Sequence, residues 1–489
     1  MLVLASVAAC QFGGGSGDGG GGDGTDSGAD DTAGSATTMP GADDSPPTQG
    51  SNGGTSGGPT AATDGDTSAD DDATEDGGTT DDGGTTDGDS TGNDDGSTGT
   101  EVGCGNGIPE AGEECDDGDR IDSNGCTNLC LDSGVVGWVT HLGGTDSAGE
   151  FLRSVAYNPT GDGYYAVGYR RNFVQGHDDW LRAQVDPEGV LVYEEAADEA
   201  GNQTGRGIAL GPNGEMTIAS NIIGGIEVTT IDETWAEVGE YDYVGGSTPY
   251  AWDVIYGPRT DALVVGAGGS DVNQNALLLL DDVGDSPFPA GGGQQFRGIT
   301  WDDPSGLYWA VLNSSNSTSR IHSFDEQLVA QDEIVISNPA NASLRAVAVS
   351  DAVFVTGFTF DDMTGYTVQT YAYEFDGSTR WQVDFDGELD LGEYAMDLAI
   401  DGEGSIVLAC SQRIGEVQVP RGPLSSAYEP VVHKLDPTDG SEIWTTAFTV
   451  PGTGNGYLRG VTIGPDNNIV VVGGAHEYYS NPFFAQLNP

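Results

Sequence analysis

The stretch Arg153-Ser-Val-Ala-Tyr returns in related form six more times along the chain, and this repetition decides the fold. Each copy opens a unit of roughly 45 to 60 residues. The third and fifth positions are large and apolar, whereas the second and fourth are mostly small. This alternation has a period of two residues and predicts β-strands. The other copies are Arg206-Gly-Ile-Ala-Leu, Trp252-Asp-Val-Ile-Tyr, Arg297-Gly-Ile-Thr-Trp, Arg345-Ala-Val-Ala-Val, Met396-Asp-Leu-Ala-Ile and Arg459-Gly-Val-Thr-Ile.

A second apolar segment follows each copy, as in Gly163-Tyr-Tyr-Ala-Val-Gly and Asn468-Ile-Val-Val-Val-Gly. Turn formers such as Asn158-Pro-Thr-Gly lie between the two segments. Because Pro presets φ and Gly accepts a positive φ, these turns predict tight hairpins. Seven units of this length predict an all-β fold, a seven-bladed β-propeller over residues 135–489. The alternative is an open sandwich of irregular strands.

The seventh unit contains only three predicted strands, near 459–464, 468–474 and 482–487. At the other end of this domain, residues 137–142 (Gly-Trp-Val-Thr-His-Leu) resemble the predicted fourth strand Arg380-Trp-Gln-Val-Asp-Phe. We therefore expect residues 137–142 to be the outer strand of the last blade. Pairing the two ends of the domain would remove the exposed edges of a truncated blade.

Residues 1–10 form a short apolar run that ends in Val7-Ala-Ala-Cys10. This run resembles a bacterial lipobox, which implies that Cys10 becomes the lipidated N-terminus of an exported lipoprotein. The run departs from the usual pattern because no Lys or Arg precedes it and because it is short. The alternative is a truncated ordinary signal peptide with an accidental cysteine.

Residues 11–103 consist almost entirely of Gly, Asp, Ser, Thr, Ala and Pro, without Lys or Arg. Such a segment cannot bury enough apolar surface to offset its ordering entropy, so it is predicted to be a disordered linker. As a flexible chain of ~90 residues it would span roughly 50 Å. The net charge of the whole chain, −64 at pH 7, argues against nucleic acid and anionic lipid as partners.

A cysteine-rich module is expected at residues 104–132, where Cys104-Gly-Asn-Gly is followed by Gly112-Glu-Glu-Cys115-Asp-Asp-Gly-Asp and Asn124-Gly-Cys126-Thr-Asn-Leu-Cys130. This pattern resembles the cysteine-rich repeat of secreted and surface proteins of myxobacteria. The even cysteine count and the export context predict two disulfides. Of the three possible pairings, we prefer Cys104–Cys126 with Cys115–Cys130. A zinc site is the alternative, although paired CxxC motifs are missing.

Four carboxylates of this module could hold a structural Ca²⁺ ion through their oxygens. The alternative is that they are ordinary polar turn residues in a disulfide-stapled loop. We predict no other cofactor. The four are Asp116, Asp117, Asp119 and Asp122.

No catalytic motif is recognisable in the propeller sequence. The five histidines fall in different units without metal-ligand spacing, and neither a G-x-S-x-G elbow nor a P-loop is present. Cys410 lies in the apolar run Ser405-Ile-Val-Leu-Ala-Cys and is interpreted as a small buried hydrophobe. The repeat resembles the general propeller repeat of exported bacterial proteins, which implies a scaffold and no particular activity.

Five of the fifteen Lys and Arg residues occupy the same position of the repeat. One interpretation is an inter-blade clamp, in which each guanidinium pairs with a neighbouring carboxylate or carbonyl. The other is a positively charged ring at the channel mouth that binds an anionic or carbonyl-rich ligand, partly neutralised by Asp146, Asp198 and Asp390. The five are Arg153, Arg206, Arg297, Arg345 and Arg459.

These patterns predict a monomeric, non-enzymatic lipoprotein, anchored to the outer membrane or cell surface by its lipid. Its propeller would bind an extracellular protein or glycan. The alternatives are a propeller hydrolase or lyase, favoured by clustered carboxylates with raised pKa values, and a purely structural envelope protein. The binding face would use the predicted loops Arg170–Asp178, Gly268–Gln274, Phe358–Tyr366, Gln412–Glu429 and Ala475–Asn481.

Overall fold

The structure is a computed structural model, and it describes residues 104–489 with interruptions. The predictions for Cys10, for the linker at 11–103 and for Asp122 therefore lie outside the described residues. The interruptions are residues 112, 120–124, 144–149, 161–162, 173–176, 197–201, 212, 224, 244–249, 258–262, 269–275, 282–283, 290–293, 315–317, 338–342, 362–364, 387–391, 419–423, 452–455 and 476–480.

Within the described residues, 28 strands form seven four-stranded antiparallel sheets, which we number as blades 1 to 7. Strand β1 (Val136–His141) comes first in the chain, and blades 1 to 6 then each contain four consecutive strands. Blade 1 contains β2 (Glu150–Asn158), β3 (Gly163–Asn172), β4 (His177–Val185) and β5 (Leu191–Ala196). Blade 2 contains β6 (Thr204–Leu210), β7 (Met216–Ile222), β8 (Gly225–Ile231) and β9 (Glu237–Tyr243). Blade 3 contains β10 (Tyr250–Tyr256), β11 (Leu263–Gly268), β12 (Ala276–Asp281) and β13 (Gly284–Pro289).

Blade 4 contains β14 (Gln294–Asp302), β15 (Leu307–Ser314), β16 (Thr318–Phe324) and β17 (Ala330–Ser337). Blade 5 contains β18 (Ser343–Val349), β19 (Val353–Asp361), β20 (Gly365–Tyr373) and β21 (Thr379–Phe385). Blade 6 contains β22 (Glu393–Ile400), β23 (Ile406–Gln418), β24 (Leu424–Leu435) and β25 (Glu442–Ala447). Blade 7 contains β26 (Tyr457–Ile463), β27 (Ile469–Gly474) and β28 (Pro482–Leu487), with β1 as its outer strand. A 3-10 turn at Pro465–Asn467 joins β26 to β27, and no helix in the described part of the chain is long and apolar enough to cross a membrane.

The first strand of every blade contacts the first strands of both neighbouring blades. Around the ring these contacts run from β2 through β6, β10, β14, β18, β22 and β26 back to β2. Four-stranded sheets arranged radially around a closed ring of innermost strands define a β-propeller. The all-β propeller predicted from the repeat is confirmed, and each sheet corresponds to one of the seven repeats.

The hydrophobic core is divided among the interfaces between blades. The described buried residues fall into seven apolar clusters, and each cluster combines side chains from two neighbouring blades. Leu152 of blade 1, for example, packs with Phe484 of blade 7. Because no single blade contains a core of its own, each blade depends on both neighbours for the burial of its apolar faces.

The ring is closed by the strand that precedes blade 1, as predicted. Strand β1 pairs antiparallel with β28, from Val136 opposite Leu487 to His141 opposite Phe483. The observed strand begins and ends one residue earlier than the predicted 137–142, and Leu142 is instead a buried core residue whose amide donates to the Pro482 carbonyl.

Three of the predicted loops are largely strands. The segment Gln412–Glu429 belongs mostly to β23 and β24, which stay paired out to Gln418 opposite Leu424. Strands β3 and β4 likewise extend into the predicted loop Arg170–Asp178, and β19 and β20 extend into Phe358–Tyr366. The backbone ladder can continue beyond the apolar part of a strand, because its hydrogen bonds need no apolar side chains. The other two predicted loops, Gly268–Gln274 and Ala475–Asn481, lie almost wholly outside the described residues.

The cysteine-rich module has two disulfides, as expected, but the predicted pairing is wrong. The bonds join Cys104 to Cys130 and Cys115 to Cys126, so the shorter loop is nested inside the longer one. A turn after Cys126, closed by the amide of Thr127 donating to the Leu131 carbonyl, reverses the chain. The disulfide sulfur of Cys104 lies 3.2 Å from the Thr127 carbonyl oxygen, which also accepts the amide of Cys130, so the turn brings the first cysteine beside the last.

Candidate functional site

A β-bulge interrupts the first strand of every blade at the residue that opens the repeat. In blade 1, Leu152 pairs with Gly168 and Ser154 pairs with Val167, so the pairing register shifts by one residue at Arg153. A bulge leaves its extra residue outside the ladder and redirects its side chain. The seven bulges lie at one level of the ring, near the end at which the first strands begin, which we call the mouth face. Their residues are Arg153, Arg206, Trp252, Arg297, Arg345, Met396 and Arg459.

Bulge residues of neighbouring blades contact one another. The guanidinium carbon of Arg297 lies 3.4 Å from the ring centroid of Trp252, and that of Arg206 lies 5.2 Å from the same ring. Trp252 therefore interacts with cations from the blade before it and the blade after it. In the same way, Nη1 of Arg459 lies 3.6 Å from the sulfur of Met396 in the preceding blade.

The remaining arginines lie over other aromatic rings. The guanidinium carbon of Arg153 is 5.1 Å from the Tyr169 ring centroid, and that of Arg345 is 4.9 Å from the Phe358 centroid. Arg459 lies 5.9 Å from Phe151. Each of the five arginines thus interacts with an aromatic face, a type of partner that the sequence analysis did not anticipate.

These rings belong to a longer chain of aromatic contacts on the mouth face. It crosses blades 5, 6, 7 and 1, and successive ring centroids are 4.7 to 6.1 Å apart. We call the seven bulge residues together with this chain the Arg–aromatic rim. In order, the rings are Phe360, Tyr366, Phe358, Tyr394, Tyr428, Tyr457, Phe151 and Tyr169.

Exposure divides the rim into two parts. The side chains of Arg297, Arg345 and Arg459 are only 7%, 7% and 8% exposed, whereas Arg153 and Arg206 are half-buried. Burial of these three guanidinium groups on aromatic faces favours a role in packing, although the predicted carboxylate or carbonyl partner of the clamp stays a prediction. The half-buried pair lies in blades 1 and 2, next to partly exposed rings of the same sector.

The residue after the bulge connects neighbouring first strands in several blades. Asp253 accepts hydrogen bonds from the amides of Val254 (2.8 Å) and Ile299 (3.0 Å), and Ile299 belongs to the next blade. Asp397 accepts equivalent bonds from Leu398 and, in the next blade, from Val461. Blades 3 and 6 have no arginine at the bulge, and they are the two blades with aspartate at the next position.

Both aspartates titrate far from their ordinary range. Burial raises the pKa of Asp253 to about 7, although its two amide donors act in the opposite direction. Burial also raises the pKa of Asp397 to about 7, and the charge of Asp253 contributes to that rise. The two carboxyls thus interact electrostatically between blades 3 and 6, beside the central channel.

The signals for these missed residues were present in the repeat alignment. Trp252 occupies the arginine position of blade 3, and Asp253 and Asp397 follow the only two bulge residues that are not arginine. The predicted neutralising residues Asp146, Asp198 and Asp390 lie outside the described residues.

In the cysteine-rich module, the described carboxylates organise the loop. Asp116 accepts a hydrogen bond of 2.8 Å from the amide of Gly107, and Asp117 accepts one of 3.4 Å from Asp119. Such bonds are typical of polar turn residues. The calcium site predicted at these residues and Asp122 remains a prediction.

Comparisons with known proteins add no function. No protein-family model matches the chain, and no curated protein matches it. Three solved structures are similar over most of their length: the Dos1 propeller (12% identity, 72% of this chain and 93% of that chain, TM-score 0.43), the Cps50 (Swd1) β-propeller domain of Myceliophteria thermophila (9%, 72% and 98%, 0.46) and the hydrazine synthase of Kuenenia stuttgartiensis (14%, 68% and 94%, 0.47). With all three TM-scores below 0.5, the fold assignment stands on the strand topology alone.

Because some arginines of the rim are buried and others are half-buried, we expect them to contribute differently to the free energy of unfolding. Replacing the buried residue, Arg345→Ala, should lower the free energy of unfolding by about 1–3 kcal/mol, because it removes a packed, desolvated group. Arg153→Ala should cost less than about 1 kcal/mol, because its charge is already partly solvated. Chemical denaturation of both variants measures the difference. Identical unfolding curves for Arg345→Ala and the unmodified protein would rule out the clamp.

The aspartates predict a specific pH dependence of stability. Because folding raises each pKa from 3.8 to about 7, the folded state binds protons more tightly, and stability should fall as the pH rises from 4 through 7. Each carboxyl should contribute roughly 3 kcal/mol to this fall, since one pKa unit corresponds to about 1.4 kcal/mol. Melting temperatures of the double variant Asp253→Asn, Asp397→Asn should depend less on pH than those of the unmodified protein, whereas the exposed-site control Asp332→Asn should not differ from it. An unchanged slope in the double variant would refute the assignment.

Proposed function

We propose that the chain is an exported, non-enzymatic binding protein whose propeller captures an extracellular ligand at the Arg–aromatic rim. The supporting observation is the convergence of five arginines and nine aromatic rings, Trp252 included, on the mouth face. Arginine and aromatic residues are enriched at binding surfaces because they combine apolar contact area with directed hydrogen bonds. A β-propeller supplies a rigid scaffold for such a surface.

The ligand contacts are proposed in the sector of blades 1 to 3. Here the half-buried Arg153 and Arg206 lie beside the partly exposed rings of Phe151, Tyr169 and Trp252. A guanidinium group binds carboxylates and sulfates through paired hydrogen bonds, and the flat rings accept the apolar face of the same ligand. The ligand should therefore carry both negative charge and apolar faces.

An acidic glycan meets this description better than a protein segment. Two pairs of arginine and aromatic ring, Arg153 with Tyr169 and Arg206 with Trp252, recur in neighbouring blades of the accessible sector, so the rim repeats similar recognition groups there. A polymer of repeating acidic sugars can occupy several such positions at once, which adds avidity. An acidic protein segment remains the other class, and the binding experiment separates the two.

A hydrolase or lyase is the second candidate, and the raised pKa values of Asp253 and Asp397 are the observation in its favour. However, both oxygens of each carboxylate already accept backbone amides, one from the next residue of the same strand and one from the first strand of the next blade. This use of both oxygens favours a structural role. We therefore propose binding without catalysis, by a monomer that does not bind nucleic acid.

The proposed location is the outer membrane or cell surface, with the lipid on Cys10 as anchor and residues 11–103 as spacer. The support is the lipobox-like sequence together with the two disulfides of the next module, which persist in oxidising compartments. A spacer of this length would hold the propeller away from the membrane, where the rim can meet ligands of the surroundings.

Lipidation predicts that Cys10→Ala releases the protein from bacterial membranes. The variant should move from the membrane fraction to the soluble exported fraction, since one or more acyl chains supply the attachment. Fractionation and immunoblotting measure the shift, with Cys410→Ala as a matched cysteine control that should stay membrane-bound. If Cys10→Ala remained in the membrane fraction, the anchor would be elsewhere.

If the rim captures an acidic glycan, the protein should bind a polyuronate or a sulfated polysaccharide, which calorimetry can measure. Neutral dextran is the uncharged control, and an acidic peptide tests the alternative ligand class. Combining Arg206→Ala with Tyr169→Ala should weaken binding at least about tenfold, or 1.4 kcal/mol, and reduce its salt dependence. The control is Phe375→Ala, an exposed ring in the turn between β20 and β21 at the opposite end of the ring. Binding of the peptide alone would assign a protein ligand, and equal binding by both variants would exclude the rim.

A further inference from the structure

Blade 6 contains a buried cluster of three side chains with metal-ligand chemistry. A carboxylate oxygen of Glu393, the thiol sulfur of Cys410 and a ring nitrogen of His433 all lie within 4.8 Å of one another. The three residues are 2%, 0% and 4% exposed. Oxygen, thiolate and imidazole together form a donor set that Zn²⁺ prefers.

The cluster is built by three adjacent strands. Glu393 is on β22, Cys410 on β23 and His433 on β24, and the pairings Ala395–Cys410 and Leu408–His433 place the three on one face of the sheet. That face packs against blade 5, since Cys410 shares an apolar cluster with residues of that blade. Phe385 of blade 5 stacks on His433 with ring centroids 4.4 Å apart. The cluster therefore lies in the interface between blades 5 and 6.

The histidine is oriented as a metal ligand would be. Its Nε2 lies 2.7 Å from Oε1 of Glu393 and so is directed into the cluster. Its Nδ1 lies 2.7 Å from the Thr445 hydroxyl and 3.4 Å from the Glu442 carboxylate. Metal-binding histidines are held in this way, with one ring nitrogen on the metal and the other fixed by a hydroxyl, carbonyl or carboxylate.

Blade 1 shows how the fold neutralises the equivalent glutamate without a metal. Glu150 stands three residues before the bulge of blade 1, as Glu393 does in blade 6, and it is also buried. The guanidinium of Arg170 pairs with Glu150 at 2.7 Å, which supplies a permanent positive charge. In blade 6 a histidine and a thiol surround the glutamate instead, and both can release a proton to solvent when a metal ion binds.

We propose that Glu393, Cys410 and His433 of blade 6 bind one Zn²⁺ ion, which would lie in the interface with blade 5. On binding, the Cys410 thiol and any proton on Nε2 of His433 release their protons to solvent, and Zn²⁺ takes the vacated lone pairs. A thiolate, a carboxylate and a neutral imidazole around Zn²⁺ carry no net charge, which suits a buried site. Zn–N and Zn–O bonds of about 2.0 Å and a Zn–S bond of about 2.3 Å require shifts of only about 1 Å within the cluster.

The test uses the full chain, refolded or expressed with Zn²⁺, then freed of loosely bound metal and analysed by mass spectrometry for metals. We expect one Zn²⁺ per chain, reduced at least tenfold in Cys410→Ala and in His433→Gln. The control Glu227→Gln, in the solvent-facing acidic group Glu227, Glu240 and Asp242, should keep its Zn²⁺. Circular dichroism checks that each variant is folded.

A spectroscopic measurement on the unmodified chain keeps the proposal testable if a variant fails to fold. Replacing Zn²⁺ by Co²⁺ should give a thiolate-to-cobalt charge-transfer band in the near ultraviolet, because one ligand is sulfur. A chain without stoichiometric zinc, a Co²⁺ spectrum without the thiolate band, or zinc retained by a folded Cys410→Ala variant would each overturn the site. Glycan binding is measured separately at blades 1 to 3, so either proposal can fail without the other.

Discussion

The close approach of neighbouring innermost strands is the constraint on which the whole ring depends. At the position after the bulge, a Cβ atom added to Gly207 would come within 2.9 Å of the next blade's backbone, and one added to Gly298 within 2.8 Å. At the same position, Ser154, Asp253 and Asp397 accept an amide hydrogen bond from the next blade, whereas Ala346 packs in an apolar cluster. Most interfaces are therefore fixed by close backbone contact at a glycine or by a polar bridge from the side chain.

The β-bulge of each first strand is a consequence of this packing, and the bulge residues form the rim of the mouth face. Because the strands are too close to admit a bulky side chain beside the bridge, the preceding residue leaves the ladder and turns toward the mouth face. Five blades place arginine there, and aromatic faces stabilise the guanidinium groups without the desolvation of a further carboxylate. Burial of three of these arginines strengthens the scaffold, whereas the partial exposure of Arg153 and Arg206 leaves one sector for a ligand.

The sequence was sufficient to predict the structural features that recur in every blade. It was not sufficient to predict features that depend on a single local contact. The propeller and its closing strand followed from seven similar strand patterns, since each copy supported the others. The disulfide pairing did not follow, because a single turn after Cys126 decides it. The proximity of Cys410 and His433 did not follow either, because sequence separation does not reveal the register of β23 on β24, which brings them to the same sheet face.

The two buried glutamates connect the scaffold to its proposed functions. A glutamate at the start of a first strand must be neutralised where two blades meet. In blade 1 the guanidinium of Arg170 neutralises Glu150 with a permanent positive charge. The stability of the blades in the proposed ligand sector therefore does not depend on a metal ion. Blade 6 uses His433 and Cys410 for the same position, so the stability of its interface with blade 5 would respond to zinc. Because the inter-blade clusters form a closed ring, a zinc ion bound there would stabilise the whole propeller by mass action while leaving the ligand contacts of blades 1 to 3 unchanged.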